Sequence, residues 1–161
     1  MKKLFLFAIC ALAVAAIGPG LVAQHPETSG SAHVLDGDTI DLGGQRIRLH
    51  GIDAPEADQT CLDANRQRYR CGAVATRALA ALLSSNPVRC VTRDTDRYGR
   101  SIAQCFVNGA DIGATLVRSG MALAYRQYSQ AYVREEDRAR EARAGIWSGS
   151  FDFPWNWRRT R

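Results

Sequence analysis

Arg48-Leu49-His50-Gly51-Ile52-Asp53-Ala54-Pro55-Glu56 is the stretch on which the reading of this chain turns. Asp36-Gly37-Asp38-Thr39 precedes it and Tyr98-Gly99-Arg100 follows. Arg48 sits at the end of an alternating apolar run, and Asp53 lies five positions on. In a regular strand an odd spacing sends two side chains to opposite faces of the sheet. If Arg48 and Asp53 serve one site, the strand has to bulge or end near Gly51, where glycine can supply the kink.

The residue types give the reason to expect one site. Asp38 and Asp53 offer the hard oxygen ligands that calcium or magnesium takes. Arg48 and Arg100 carry planar forks that match phosphate oxygens two at a time. Glu56 is a further carboxylate, free to act on water. Cation, guanidinium and base together are the parts needed to hydrolyse a phosphodiester.

Outward from that run, Val34, Ile40 and Leu42, the turn Gly43-Gly44, then Ile47 and Leu49 predict a hairpin between Ala32 and Asp53. Asp58 to Arg70 is a polar, arginine-rich excursion. Gly72 to Ser84 predicts a helix with Val74, Leu79, Leu82 and Leu83 on its apolar side, ended by Asn86-Pro87. Val88–Thr92 and Ser101–Val107 read as strands. Asp111 is positioned to cap a helix to about Arg118, closed by Ser119-Gly120. The last helix is expected from Gln130 to Arg143, capped by Ser129 and ended by Gly145, with a Glu136–Arg140 pair on a solvated face. Strands, helix, strands, helix, helix is an α+β order and not the alternation of a parallel α/β fold.

The N-terminus reads as a processing signal. Lys2 and Lys3 precede an uncharged apolar run, Leu4 to Ile17, and Leu21-Val22-Ala23 offers a small-residue cleavage site. The competing reading is an uncleaved anchor, but the run falls short of the ~20 residues that span a bilayer. Removing residues 1–23 leaves 138 residues, the size of one domain, and takes the formal charge from +5 to +3. Every remaining strong cation is arginine. A charge this modest permits an anionic partner without establishing one. Cys61, Cys71, Cys90 and Cys105 remain, an even number in an exported chain, which predicts disulfides. Three pairings are possible. Cys61–Cys71 would close a short loop, and Cys90–Cys105 would join two neighbouring strand candidates. A zinc site is disfavoured, because there is no CxxC pair and His33 and His50 lie far from any cysteine.

Five motifs in order now support a resemblance. Asp-Gly-Asp-Thr at 36–39, Arg-Leu-His-Gly-Ile-Asp-Ala-Pro-Glu at 48–56, Asp96-Arg97-Tyr98-Gly99-Arg100, Leu116-Val117-Arg118-Ser119-Gly120-Met121-Ala122 and Gly145-Ile146-Trp147 resemble the staphylococcal nuclease (thermonuclease) family over residues 32–147. The resemblance implies an OB-fold five-stranded Greek-key barrel with three α-helices, a platform that often binds nucleic acid. It implies one calcium ion on Asp38, Asp53 and the backbone carbonyl of Ala54, where many relatives carry threonine. Thr39 would orient a metal-bound water. Arg48, Glu56 and Arg100 would be catalytic, the arginines on the scissile phosphate and Glu56 on the attacking water. Arg97, Tyr98, Tyr125 and Tyr128 would bind substrate, although the spacing at Tyr128 differs by a residue. His50 is expected near the site but outside the chemistry.

The implied activity is hydrolysis of DNA and RNA with little base preference, leaving 3′-phosphates, by a monomer exported to the periplasm or secreted. No stable protein partner is expected. Two other readings stand beside it: a catalytically silent OB module that only binds nucleic acid, and a secreted interaction protein working through its tail. The expected organisation is a signal peptide (1–23), a flexible leader (24–31), the nuclease domain (32–147) and an aromatic, basic tail (148–161). That tail, Phe151-Asp152-Phe153-Pro154-Trp155-Asn156-Trp157-Arg158-Arg159, could dock back on the barrel, meet a partner or membrane interface, or add to nucleic-acid binding.

Overall fold

A computed structural model describes residues 25–160 of the chain. The expected signal peptide therefore lies outside the described residues, among which no helix is long and apolar enough to cross a membrane.

The strands run β1 (Glu27–Gly30), β2 (Ala32–Val34), β3 (Thr39–Leu42), β4 (Gln45–Leu49), β5 (Ile52–Asp53), β6 (Cys61–Leu62) and β7 (Arg68–Tyr69). Helix α1 (Cys71–Leu83) follows, then β8 (Val88–Thr95), β9 (Ser101–Val107), β10 (Ala110–Asp111), α2 (Ile112–Arg118), β11 (Leu123–Ala124) and α3 (Val133–Glu141). A 3₁₀ turn at Gly145–Ser148, the one-turn helix α4 (Pro154–Trp157) and a second 3₁₀ turn at Arg158–Thr160 complete the chain. The main sheet has the order β1-β8-β9-β4-β3-β2, with β10 added to β9. Only β4 and β9 pair in parallel, so the sheet is mixed. It curls into a half-barrel of the OB type, and with the helices it forms the α+β fold expected. The expected five strands become seven in this sheet because the short β1 and β10 extend it.

The elements form where residue periodicity asks for them. Along β9 burial alternates without a break, with Ser101, Ala103, Cys105 and Val107 turned inward. Along α1 the buried Cys71, Ala75, Leu79 and Leu83 recur every fourth residue, one stripe of a helix. Ala75, Leu79 and Leu83 of that stripe join Ile40, Leu42, Ile47 and Val88 in the barrel core. Asp111 caps α2 as expected, accepting the Ala114 N–H at 3.0 Å. The same carboxylate accepts the Tyr132 hydroxyl at 3.0 and 3.1 Å, which ties the start of α3 to that of α2.

Two expectations are corrected. Part of the stretch expected to be a flexible leader forms β1, paired with β8 from Glu27↔Val91 to Gly30↔Val88. Its polar side chains carry no strand signal, since pairing there is a backbone matter at a half-exposed sheet edge. The last helix begins three residues later than Gln130, and Ser129 accepts the N–H of Ala131 in a preceding turn rather than capping it. Glu136 is not on a solvated face. It is 4% exposed and accepts from the Ala124 N–H and the Arg126 guanidinium.

Both disulfides take the pairings named from the sequence. Cys61–Cys71 ties the β6–β7 hairpin to the start of α1. Cys90–Cys105 links two residues directly opposite each other on β8 and β9.

Candidate active site

The odd spacing from Arg48 to Asp53 resolves as required. Strand β4 stops at Leu49, His50 and Gly51 turn with Gly51 at φ +73°, and β5 resumes at Ile52. A left-handed residue at that point is inexpensive only for glycine. The break rotates the chain, so that the two side chains meet. Arg48 Nη2 donates to Asp53 Oδ1 at 2.7 Å, and Nη1 to Asp38 Oδ1 at 2.9 Å.

Asp38 reaches the same place from the head of β3, where the Leu49 N–H donates to its carbonyl at 2.8 Å. Its side chain accepts from the Ala54 N–H at 3.1 Å and the Thr39 hydroxyl at 3.1 Å. Asp53 is fully buried and Asp38 nearly so. Burial pushes the Asp38 carboxyl up to about 7; Arg48 and the Ala54 N–H oppose this, and nearby Asp36 and Asp53 add to it. For the Arg48 guanidinium the balance is reversed. Burial lowers its affinity for a proton, but the two carboxylates it bridges raise it further.

Glu56 stands at the rim. Gly72 at the start of α1 lies so close to the Glu56 carbonyl that a Cβ there would come within 1.7 Å of it, so glycine is required at that approach. The Glu56 N–H donates to Gln59 Oε1 at 3.1 Å, and Gln59 is itself fully buried. Arg100 approaches from across the cleft, at the end of the β8–β9 loop. Its N–H and its Nε donate to the two oxygens of Asp96, at 2.9 and 2.7 Å. Asp96 is held below the usual carboxylate range: burial works against this, but the hydrogen bonds from Arg100 and the Tyr98 N–H outweigh it.

Asp38, Arg48, Ala54, Glu56 and Arg100 line one cleft of about 750 Å³. Arg97, Tyr98, Tyr125 and Tyr128 line it too, so the expected substrate residues converge with the expected catalytic ones. Tyr98 and Tyr128 are strongly exposed, and Arg97 lies 4.8 Å over the Tyr98 ring. Tyr125 and Tyr128 meet edge to face at 4.7 Å. His50 also lines the cleft, half-buried, with its N–H on the Ala103 carbonyl and its imidazole made less basic by burial.

The donor set suits a hard divalent cation. It comprises two buried carboxylates close enough to share one guanidinium, with the Ala54 main chain bonded to one of them through its N–H. No cluster of three or more His, Cys, Asp or Glu side chains with metal-holding geometry occurs among the described residues, so water would have to complete the shell.

Two residues of this region were not assigned to the site from the sequence. Arg158 comes in from the tail, with Nη1 and Nη2 on Asp53 Oδ1 and Oδ2 at 3.1 and 2.8 Å and Nη1 also on Glu56 Oε1. Gln59 links the Glu56 loop to the same tail, donating to the Asp152 carbonyl at 2.7 Å. A basic residue beyond an aromatic cluster hinted at a contact, but nothing local to it pointed to Asp53.

Comparison with known proteins identifies the family. The family described as staphylococcal nuclease homologue matches residues 46–149, a segment that holds Arg48, Asp53, Glu56 and Arg100 and leaves Asp38 before it and Arg158 beyond. The chain is 42% identical over 121 residues to the succinoglycan biosynthesis protein ExoI of Rhizobium meliloti, covering 73% of this chain and 63% of that one. It is 36% identical over 145 residues to the micrococcal nuclease of Shigella flexneri, covering 78% of this chain and 77% of the other. An uncharacterized endonuclease of Escherichia coli is 35% identical over 133 residues, with 78% and 80% covered. By this family match and these relatives, the chain belongs to the staphylococcal nuclease family of phosphodiester-hydrolysing enzymes.

Proposed function

We propose that the chain is an exported, calcium-dependent nuclease that cleaves DNA and RNA with little base preference and leaves 3′-phosphates. It acts as a monomer, with residues 1–23 as a removable export signal and residues 32–147 as the nuclease domain. The observation that carries this reading is the Arg48 fork joining Asp38 to Asp53 at the head of a cleft that also holds Arg100 and three tyrosines.

Asp38, Asp53 and the Ala54 carbonyl would hold the ion, with Thr39, whose hydroxyl lies on Asp38, orienting a water beside it. Bound there, calcium supplies positive charge near the phosphate and lowers the pKa of nearby water. The remaining work falls to the chain. Water attacking a phosphodiester builds negative charge on the phosphate oxygens. Arg48 and Arg100, which line the cleft, would donate guanidinium N–H groups to those oxygens and so bind the transition state more tightly than the ground state. Arg48 exchanges a carboxylate oxygen for a phosphate oxygen as substrate enters. Glu56, at the rim and partly exposed, orients the attacking water and takes its proton. Arg97 and Tyr98 cover a terminal phosphate, while Tyr125 and Tyr128 offer ring faces to bases, a contact indifferent to base identity. Two disulfides suit a chain that works in an oxidising compartment.

Digestion of single-stranded DNA and RNA by the wild type and by Arg48→Ala, with and without a calcium chelator, tests the reading. Cleavage is expected only from the wild type with calcium. Undiminished cleavage in chelator overturns the metal assignment, and binding without cleavage under every metal favours a silent nucleic-acid module.

A further inference from the structure

The tail does more than dock. Leu62 and Ser150 exchange both backbone hydrogen bonds, at 2.8 and 3.0 Å, and Gln59 holds the Asp152 carbonyl. From there a row of rings leads toward the cleft. Trp147 meets Phe151 at 5.0 Å, Phe151 meets Phe153 at 5.5 Å, and Phe153 stacks on Trp155 at 4.8 Å. Trp155 in turn stacks on Tyr125 at 5.8 Å, with planes 1° apart. One turn of α4 later, Arg158 takes Asp53 and Glu56.

Asp53, Glu56 and Tyr125, which the tail takes at the cleft, each have another expected occupant. Arg48 takes only Oδ1 of Asp53, and Arg158 takes the other oxygen as well as sharing the first. Both oxygens of that buried carboxylate therefore carry guanidinium hydrogen bonds, leaving a cation no oxygen that is not already shared. Glu56 Oε1 is held by the same guanidinium, so that oxygen is not open to an attacking water. Trp155 lies on the ring of Tyr125, where a base would stack.

We propose that the C-terminal tail is an autoinhibitory strap in which Arg158 competes with the divalent cation for Asp53 and Trp155 competes with a nucleobase for Tyr125. The cation half rests only on the carboxylates; the nucleobase half rests on the nuclease reading above. Binding to a site whose competent form is partly populated is weakened by that fraction, so a docked strap raises the apparent dissociation constant for calcium. Linkage makes the effect reciprocal, and calcium loosens the strap by the same factor with which the strap weakens calcium. Guanidinium geometry matters, because lysine at 158 keeps the charge but cannot span both oxygens of Asp53 and reach Glu56 together.

Calorimetric titration of calcium into the full chain, with no nucleic acid present, tests this on the wild type, Arg158→Ala, Arg158→Lys and Trp155→Ala. Circular dichroism would verify that each variant is folded. Arg158→Ala is expected to bind calcium about 3–10-fold more tightly, with Arg158→Lys between it and the wild type. Trp155→Ala, which leaves every carboxylate in place, is expected to tighten binding as well. In the wild type, calcium should speed tryptic cleavage after Arg158. Equal or weaker calcium binding by Arg158→Ala overturns the strap, as does the absence of calcium binding in all four proteins. An Arg158 that instead serves as a third phosphate ligand would weaken DNA binding on removal and leave calcium affinity unchanged, which also overturns it. A wild type that cleaves no DNA sinks the nuclease reading but leaves a calcium gain in Arg158→Ala intact, so the two failures are distinguishable.

Discussion

Two apolar clusters flank Asp53, and each sends it one guanidinium. The barrel core gathers Ile40, Leu42, Ile47, Leu79 and Val88 beneath a hydrogen-bonded sheet and positions Arg48. The smaller cluster gathers Cys61, Cys71, Leu123 and Ile146, with Phe151, Phe153 and Trp155 leaning on it, and positions Arg158. Arg48 belongs to a strand with neighbours on both sides, so its place is set by ladder register. Arg158 follows a single helical turn held by ring contacts, one backbone bridge and one glutamine. Two cations on one carboxylate can thus differ in permanence, since segments with fewer backbone ties open more readily than a core strand.

The largest effect should come from the barrel side. Leu79→Ala opens a cavity in the fully buried stripe of α1 and is expected to lower unfolding free energy by about 2–5 kcal/mol, read from a urea titration. A loss under ~1 kcal/mol would mean that α1 collapses into the space, and that the core is less rigid than its register implies. Next comes Arg48→Ala, expected to reduce kcat/KM on single-stranded DNA by about 10²–10³-fold. Arg48→Lys should fall close to it, because one ammonium cannot bridge two carboxylates as the fork does.

Effects on the tail side should be smaller and more local. Replacing Cys61 and Cys71 together with alanine opens a link of sequence separation 10, expected to cost about 2–3 kcal/mol in thermal unfolding and to expose the tail to trypsin. If tail proteolysis stays unchanged, the disulfide does not anchor the second cluster. Phe153→Ala removes two ring contacts and should cost about 1 kcal/mol of global stability while markedly speeding cleavage of the tail. Equal global losses for Leu79→Ala and Phe153→Ala would erase the distinction between the two clusters.

What was legible in the chain followed from local rules. The hairpin from Ala32 to Asp53 showed as alternation, α1 as an apolar side of which Leu79 and Leu83 are buried while Val74 and Leu82 are half-buried, and Asp111 as a cap one residue before Ile112. The break at Gly51 was legible as well, because two residues at odd spacing had to share a face. Misreadings came where a partner lay elsewhere in the chain. Glu136 has Arg140 four residues on, the usual helical partner, but it turns to Arg126 and the Ala124 N–H, which only the packing of α3 on β11 makes available. Polar Glu27–Gly30 gave no pattern, since an edge strand is recruited by a neighbour's unpaired backbone groups.

By itself, then, the sequence determined the inventory of the candidate site: two aspartates, two arginines and a glutamate, in a spacing that required a broken strand if Arg48 and Asp53 were to meet. Periodicity and spacing carry such information because each acts within a few residues. Tertiary structure alone decided that a third arginine reaches Asp53 from 105 positions away, through a run of rings whose contacts have no signature along the chain. Ion pairs between distant residues depend on where the backbone brings them, and that follows from the folding of the whole chain.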